Sequence, residues 1–378
     1  MIFHYCTEGD SVLSIAREYG VSPVRLIEEN GLADPDRLAV GQCLAIYRSS
    51  RAYTVRGGDT FDGIVRRFAM NARDLLKFNP GIGDKRLLYP GQSLALGRVE
   101  TSYGPLTVNG CISKHISLSK LRCFSSALTY LTITDSDLID RSGFGSQKER
   151  ELIDFSAQNG ILPLVLVHPF GDPETLATMI ARSGYRGAQL HEAGDREVGE
   201  LYARALKKAG LIALVPYSNE RTDDACDWLT VPFGDHRVST VERFHALPLD
   251  SEQAYRIMAE LPYCGVEISS SDGRCIKTLP LADCTHLAYR RNSPIKKRDD
   301  GKVGFSFTAT VFGSHEHREV IFDDLATLKN GLAVLGESGI CGMTIYPEWC
   351  PRGLPTLLHR TFDVIKTGDE RSDGHFYR

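Results

Sequence analysis

The chain is short of several things, and each shortage narrows what it can be. Its 378 residues contain no apolar run approaching the roughly 20 that a bilayer crossing needs. Strand-like residues begin within the first few positions, with no charged segment leading into an apolar one, so no secretory signal is read. Charge of either sign is not in excess: the formal net charge is −4 with 24% charged residues. Neither nucleic acid nor a membrane surface is therefore expected as a partner. The most basic stretch, Arg290 to Lys302, is broken by Asn292, Pro294, Asp299 and Gly301, which is the composition of a solvated loop. Ten cysteines include no CxxC pair, so no zinc site is expected, no other metal is read, and no cofactor is implied.

What is present is a repeat. Tyr5, Gly9-Asp10-Ser11, Ile15, Tyr19, Leu26, Asn30, Leu38 and Gly41-Gln42 return about 50 residues later. The second copy reads Tyr53, Gly58-Asp59-Thr60, Ile64, Phe68, Leu75, Asn79, Leu87 and Gly91-Gln92. A duplicated unit this short closes its own core. In the first copy Ser11 caps an apolar spacing of Leu13, Ile15, Ala16 and Tyr19, and Gly20 supplies a left-handed stop. Ser22-Pro23 opens a second helix that Asn30-Gly31 closes. Thr60 and Asn71-x-x-Asp74 open the equivalent helices of the second copy, and Asn79-Pro80-Gly81 ends them. Strands flank each helix pair.

Each copy resembles a LysM module, the βααβ domain that binds N-acetylglucosamine-containing glycans. The resemblance implies a shallow sugar groove between the loop before the first helix and the loop after the second. In copy one those positions are Gly9, Asp10, Ser11 and Val12 with Asn30, Gly31 and Leu32. In copy two they are Gly58, Asp59, Thr60 and Phe61 with Asn79, Pro80, Gly81 and Ile82. Backbone amides there would bond acetamido groups, and Phe61 or Ile82 would meet a sugar face. The same Asp, Ser and Thr residues also read as helix caps and the two Asn as helix stops, so both roles stand for each side chain.

After Gly97, apolar strands alternate with helical runs, the pattern of a parallel α/β sheet. Strands are expected at 106–112, 127–134, 162–168, 187–192, 211–217, 228–231, 265–269 and 342–346, with helices at 148–158, 174–182, 197–209 and 323–335. Eight strands over about 270 residues fit a (β/α)8 barrel. The stretch from Ser270 to Thr310 is less regular, a lid or inserted subdomain. The expected organisation is one module at 1–49, a second at 51–98, a barrel at 104–369 and a tail at 370–378.

LysM pairs followed by a barrel resemble the spore-cortex and germination glycosidases of glycoside hydrolase family 18. Strings on the second, fourth and last strands carry the likeness: Leu128-Thr-Tyr-Leu131, Gly184-Tyr185-Arg186-Gly187 and Gly342-Met343-Thr344-Ile345-Tyr346. The family's DxxDxDxE string on the fourth strand ends in the general acid, and the Asp two residues earlier orients the substrate acetamide for substrate-assisted cleavage. Aligned through Gly184-Tyr185 and Gly187, its four acidic positions become Arg186, Gln189, His191 and Ala193. Glu192 is adjacent, but a one-residue offset on a strand points the other way unless a bulge intervenes. The family's Met-x-Tyr becomes Pro232-Phe233-Gly234, and its sugar-platform Trp becomes Tyr346, with Trp349 close behind. Losing the acid removes on the order of a hundred- to ten-thousand-fold in rate.

The expected function is binding of peptidoglycan or another N-acetylglucosamine-type glycan through the two modules, with a non-catalytic barrel. The alternative is an active N-acetylglucosaminidase on cortex fragments, with Glu192 as acid. A wall-binding chain without an export signal fits synthesis in the mother cell around a bacterial spore, with spore-coat proteins as further partners. His168, Asp135, Tyr217, Glu267 and Asp235 are additional polar or aromatic candidates near strand ends. His315-Glu316-His317 has metal-compatible alternation but reads as an exposed turn.

Overall fold

The structure is a computed structural model describing residues 1–47, 52–79, 82, 86–97, 102–136, 146–191, 196–217, 226–238, 240–246, 254–262, 264–311 and 313–366. The first module runs β1 (Ile2–Tyr5), α1 (Val12–Tyr19), α2 (Pro23–Asn30) and β2 (Cys43–Ile46), with β1 antiparallel to β2. Ser11 and Ser14 form a reciprocal capping box on α1, and Gly20 and Gly31 close the two helices at φ 65° and 62°. The second module repeats this as β3 (Ala52–Thr54), α3 (Phe61–Arg67), α4 (Ala72–Phe78) and β4 (Ser93–Ala95).

The barrel follows. Its strands and helices are β5 (Pro105–Ile112), α5 (Leu118–Phe124), β6 (Tyr130–Ile133), α6 (Gln147–Gln158), β7 (Leu162–Val167), α7 (Pro173–Arg182), β8 (Gly187–Leu190), α8 (Arg196–Lys208), β9 (Ile212–Pro216), β10 (Trp228–Val231), α9 (Thr240–His245) and β11 (Ile257–Glu260). An insertion then supplies β12 (Cys264–Ser269), β13 (Cys275–Pro280), α10 (Leu281–Arg290), β14 (Lys296–Lys297), β15 (Val303–Val311) and β16 (Ser314–Phe322). The barrel resumes with α11 (Leu325–Glu337), β17 (Gly342–Ile345), α12 (Leu354–Thr361) and the short β18 (Asp363–Val364). Eight parallel strands run β5-β6-β7-β8-β9-β10-β11-β17, and β17 pairs back onto β5 to close the ring. Leu164, Leu214, Trp228 and Met258 fill the interior from four different strands, as a barrel this size requires.

Two expectations need correction. The strand at 265–269 belongs to the inserted five-stranded antiparallel sheet, ordered β13-β12-β16-β15-β14. The seventh barrel strand is instead β11, four residues long and preceded by a 3-10 turn at Ala254–Arg256. His315, Glu316 and His317 lie within β16 rather than in a turn before it, with Glu316 held by Arg318 at 2.9 Å and His317 by Thr308 at 3.2 Å.

The first module is not a bead on a string. Ala39, Ala45 and Tyr47 belong to the same buried apolar cluster as the barrel strands. Small modules bury too little surface for much stability of their own, so this shared core matters. Ile295 donates its backbone N–H to Val40 at 2.9 Å. Arg360 of α12 stacks over the Tyr47 ring at 5.5 Å and reaches Glu29 at 4.0 Å. The second module keeps a separate core around Phe61, Ile64, Leu75 and Leu94, and its α4 packs against α12.

Candidate glycan grooves and barrel mouth

The loop before each first helix is built by one carboxylate. Asp10 accepts from the Thr7 amide at 2.6 Å, the Thr7 hydroxyl at 2.9 Å and His4 at 3.1 Å. Asp59 accepts from the Arg56 amide and the Tyr53 hydroxyl, each at 2.7 Å. These donors hold both carboxyls below the usual aspartate range, the backbone N–H contributing most. Tyr53 therefore takes the place of His4, not of Tyr5, and its ring packs at a steep angle against Phe68 as that of His4 packs edge-on against Tyr19. Gly9 and Gly58 both sit at φ 88° with open space around them, so the turn's handedness is what requires glycine there. Ser11 and Thr60 cap their helices by accepting from the Ser14 and Gly63 amides, each at 3.1 Å.

The two asparagines are clamps. Asn30 donates to the Leu26 and Ala45 carbonyls, both at 2.9 Å, and accepts from the Ala45 amide at 2.6 Å. Asn79 repeats this with Leu75 and Ala95 at 2.7–2.8 Å. Their side chains tie the second helix to the last strand from the interior. Phe61 and Ile82 are also core residues, 4% and 6% exposed, so the expectation that they present faces to a sugar is corrected. Leu32 is half-buried against the first module's core. What the grooves offer a ligand is shaped backbone, held in place by the repeat's polar residues. Pro80 and Gly81 lie outside the described residues.

In the barrel, polar residues on alternate positions of β5 meet β6 and β8. Thr132 donates to Asn109 at 2.8 Å, and Asn109 donates to Gln189 at 3.1 Å. The Cys111 thiol points at the same Gln189 oxygen at 3.5 Å. Gln189, at a position that is acidic in the resembled family, is thus an interior amide bonded to neighbours. Arg186 is exposed at the foot of β8, and the exposed His191 lies over His168 with ring centroids 4.4 Å apart. Glu192 and Ala193 lie outside the described residues. Asp135 is occupied by the Ser113 hydroxyl and the Lys114 amide. Glu267 is buried in the inserted sheet between Arg318 and Lys277, away from any strand end of the barrel, and Asp235 pairs with Arg237.

One carboxyl escaped sequence reasoning. Glu260 ends β11, in register with Thr344 of β17, and shares the inward parity of Met258. It accepts from the Phe233 amide at 2.5 Å and from the Tyr346 hydroxyl. Burial pushes its carboxyl above the ordinary range despite those donors. Burial also raises the Cys111 thiol, with the Glu260 charge second. The alternation Thr107, Asn109, Cys111 between apolar neighbours was a readable signal for a polar barrel interior. Glu260 had none, because its strand was not recognised. Trp349 is half-buried beyond β17, and its carbonyl accepts from Leu281 at 3.1 Å.

Residues 7–46 and 53–97 match the LysM domain. An endolysin of Bacillus phage B103 is 29% identical over 98 residues, 25% of this chain and 37% of the endolysin. The N-acetylmuramoyl-L-alanine amidase sle1 of Staphylococcus epidermidis is 30% identical over 116 residues, 28% of this chain and 35% of the amidase. The chain thus spans little more than a third of the length of these relatives. Among solved structures, the spore cortex-lytic enzyme SleL of Bacillus cereus shares the fold at TM-score 0.65 and 18% identity, over 97% of this chain and 100% of that one. SleL of Bacillus megaterium QM B1551 does so at 0.65 and 15%, over 96% and 98%. The chain carries two LysM domains followed by an eight-stranded parallel barrel with the fold of the SleL spore cortex-lytic enzymes.

Proposed function

We propose that this chain is a peptidoglycan-binding protein of a bacterial wall or spore envelope, held there by its LysM domains, with a barrel that retains saccharide without cleaving it efficiently. The reading rests first on the duplicated LysM match, in which both copies keep the turn carboxylate, the helix cap and the asparagine clamp. Similarity to an endolysin and an N-acetylmuramoyl-L-alanine amidase, and a fold shared with spore cortex-lytic enzymes, support a wall-glycan role. Non-catalysis rests on β8, where interior Gln189 accepts hydrogen bonds in place of a carboxylate. The general-acid position of the same string is Ala193, and an alanine has no proton to give a glycosidic oxygen.

A second reading is favoured by one observation. Glu260 is a protonation-prone carboxyl at the C-terminal ends of the strands, the face on which barrel enzymes place their chemistry. Hydrolysis from that position would give an N-acetylglucosaminidase whose acid has moved from β8 to β11. A single preparation decides between the readings. The full chain should sediment with insoluble peptidoglycan, and Asp10→Ala with Asp59→Ala together should weaken retention by loosening both loops. Unchanged retention would overturn the groove assignment. Reducing-sugar release from the same polymer should stay at background. Release abolished by Glu260→Gln, with retention intact, would establish the second reading instead.

A further inference from the structure

The two LysM domains share a cleft along one side of each groove, lined by the loops after α2 and α4 and not by Gly9, Asp10, Gly58 or Asp59. Gly31 and Leu32, from the loop after α2, face Asn79 and Ile82, from the loop after α4, across one cleft of about 390 Å³. Barrel residues close it: Arg122 and Cys123 of α5, Arg352, and Pro355 and Thr356 of α12. The cleft opens into a larger one of about 820 Å³ through shared walls at Arg25, Glu28, Ile82 and Arg122, and Tyr89 stands on its rim with 65% of its surface exposed. The arrangement is tight where the first domain meets the barrel: a Cβ on Gly31 would lie 2.5 Å from the Arg352 Cβ.

The charges in this cleft are unequal. Arg25 is neutralised by Glu29 at 2.5 Å on the same helix. Glu28, on the exposed side of α2, lies with that pair on the first domain's wall of the cleft. Arg122 and Arg352, both exposed, remain on the barrel side.

Resting on the LysM reading, we infer that the two domains and the barrel form one composite glycan site, and that its barrel arginines select carboxylate-bearing wall glycan over neutral N-acetylglucosamine polymer. Peptidoglycan carries stem-peptide carboxylates, and free lactyl carboxylates where the peptide is missing, beside its acetamido groups, whereas chitin carries acetamido groups alone. Guanidinium groups pair with carboxylates in bidentate geometry, and charges on a cleft rim set selectivity more than total affinity. The strand would run between the domains with its acetamido groups toward the shaped loops and its carboxylates toward α5 and α12. Tyr89 would meet a sugar face.

The test is retention of the full chain on insoluble peptidoglycan and on chitin beads in parallel. Arg122→Glu combined with Arg352→Glu should weaken peptidoglycan retention on the order of tenfold and leave chitin retention within about twofold. Arg122→Lys with Arg352→Lys should keep most of the preference, since charge survives. Equal losses of the Glu variant on both polymers, or no loss on either, would overturn the composite site. An unaltered chain that binds neither polymer would instead sink the LysM-binding reading beneath it.

Discussion

Asn30 and Asn79 show how much a single side chain does in a small domain. Each satisfies three buried backbone groups: a carbonyl 4 residues back, and a carbonyl and an amide of one strand residue 15 or 16 positions ahead. Removing the amide strands those groups without partners, and an unsatisfied buried polar group costs about 1–3 kcal/mol. Asn79→Ala should therefore lower the stability of the second domain by about 2–4 kcal/mol, seen as an early transition in a thermal melt that leaves the barrel's own transition in place. A loss below about 0.5 kcal/mol would mean that the clamp is not formed in solution. The repeat displayed these asparagines plainly, as helix stops and as groove positions, but not as clamps. Their partners are backbone groups of Ala45 and Ala95, and a backbone group has no residue type by which a sequence could announce it. The same holds for Asp10 and Asp59, whose first partners are the amides of Thr7 and Arg56.

Among the elements, β11 and β12 explain where the pattern misled. Ile257–Glu260 and Cys264–Ser269 are both short apolar runs in neighbouring positions. Periodicity identifies a buried strand without saying which sheet receives it. The longer run, bounded by Ser269-Ser270 and by the Gly265 that packs against Cys284 and Phe322, was assigned to the barrel, although it opens the insertion. Seven of the eight barrel strands were legible as apolar runs, several of them set apart by helical runs. The eighth was hidden behind a turn, and Glu260 was hidden with it. The insertion itself is pinned by a pair that no pattern suggested. Lys302 is fully buried, and donates to Asp323 at 2.5 Å and to the carbonyls of His236 and Val238 at 2.8 and 3.1 Å. Thr240 donates to the other Asp323 oxygen at 2.9 Å. Breaking one side of a buried pair leaves an uncompensated charge, which costs about 3–5 kcal/mol. Lys302→Met should destabilise the barrel and insertion by that order in urea unfolding, and Lys302→Met with Asp323→Leu should recover much of it. A double variant as unstable as the single one would show that geometry, not charge, is what Lys302 supplies.

In the molecule as a whole, the first domain is built into the barrel while the second leans on it, and this asymmetry can be measured. Gly41 sits at φ 79°, and a Cβ there would lie 2.0 Å from the Ile295 carbonyl oxygen, a backbone atom that cannot swing aside. Gly20, in the same domain, has a similar φ of 65° but open space around it. Alanine at either position bears the left-handed backbone cost of about 1–2 kcal/mol. Only at Gly41 does it also force the domain away from the insertion, breaking the Ile295–Val40 hydrogen bond and drawing Ala39, Ala45 and Tyr47 out of the common core. Gly20→Ala should thus shift the calorimetric transition slightly and keep its shape. Gly41→Ala should split it, because a domain without its share of the barrel core unfolds as a separate unit. The composite cleft would open with it, so Gly41→Ala should lose retention on peptidoglycan at temperatures where Gly20→Ala still binds. Identical melts for the two alanine variants would mean that the docked arrangement contributes nothing in solution, and the shared site between the domains would go with it.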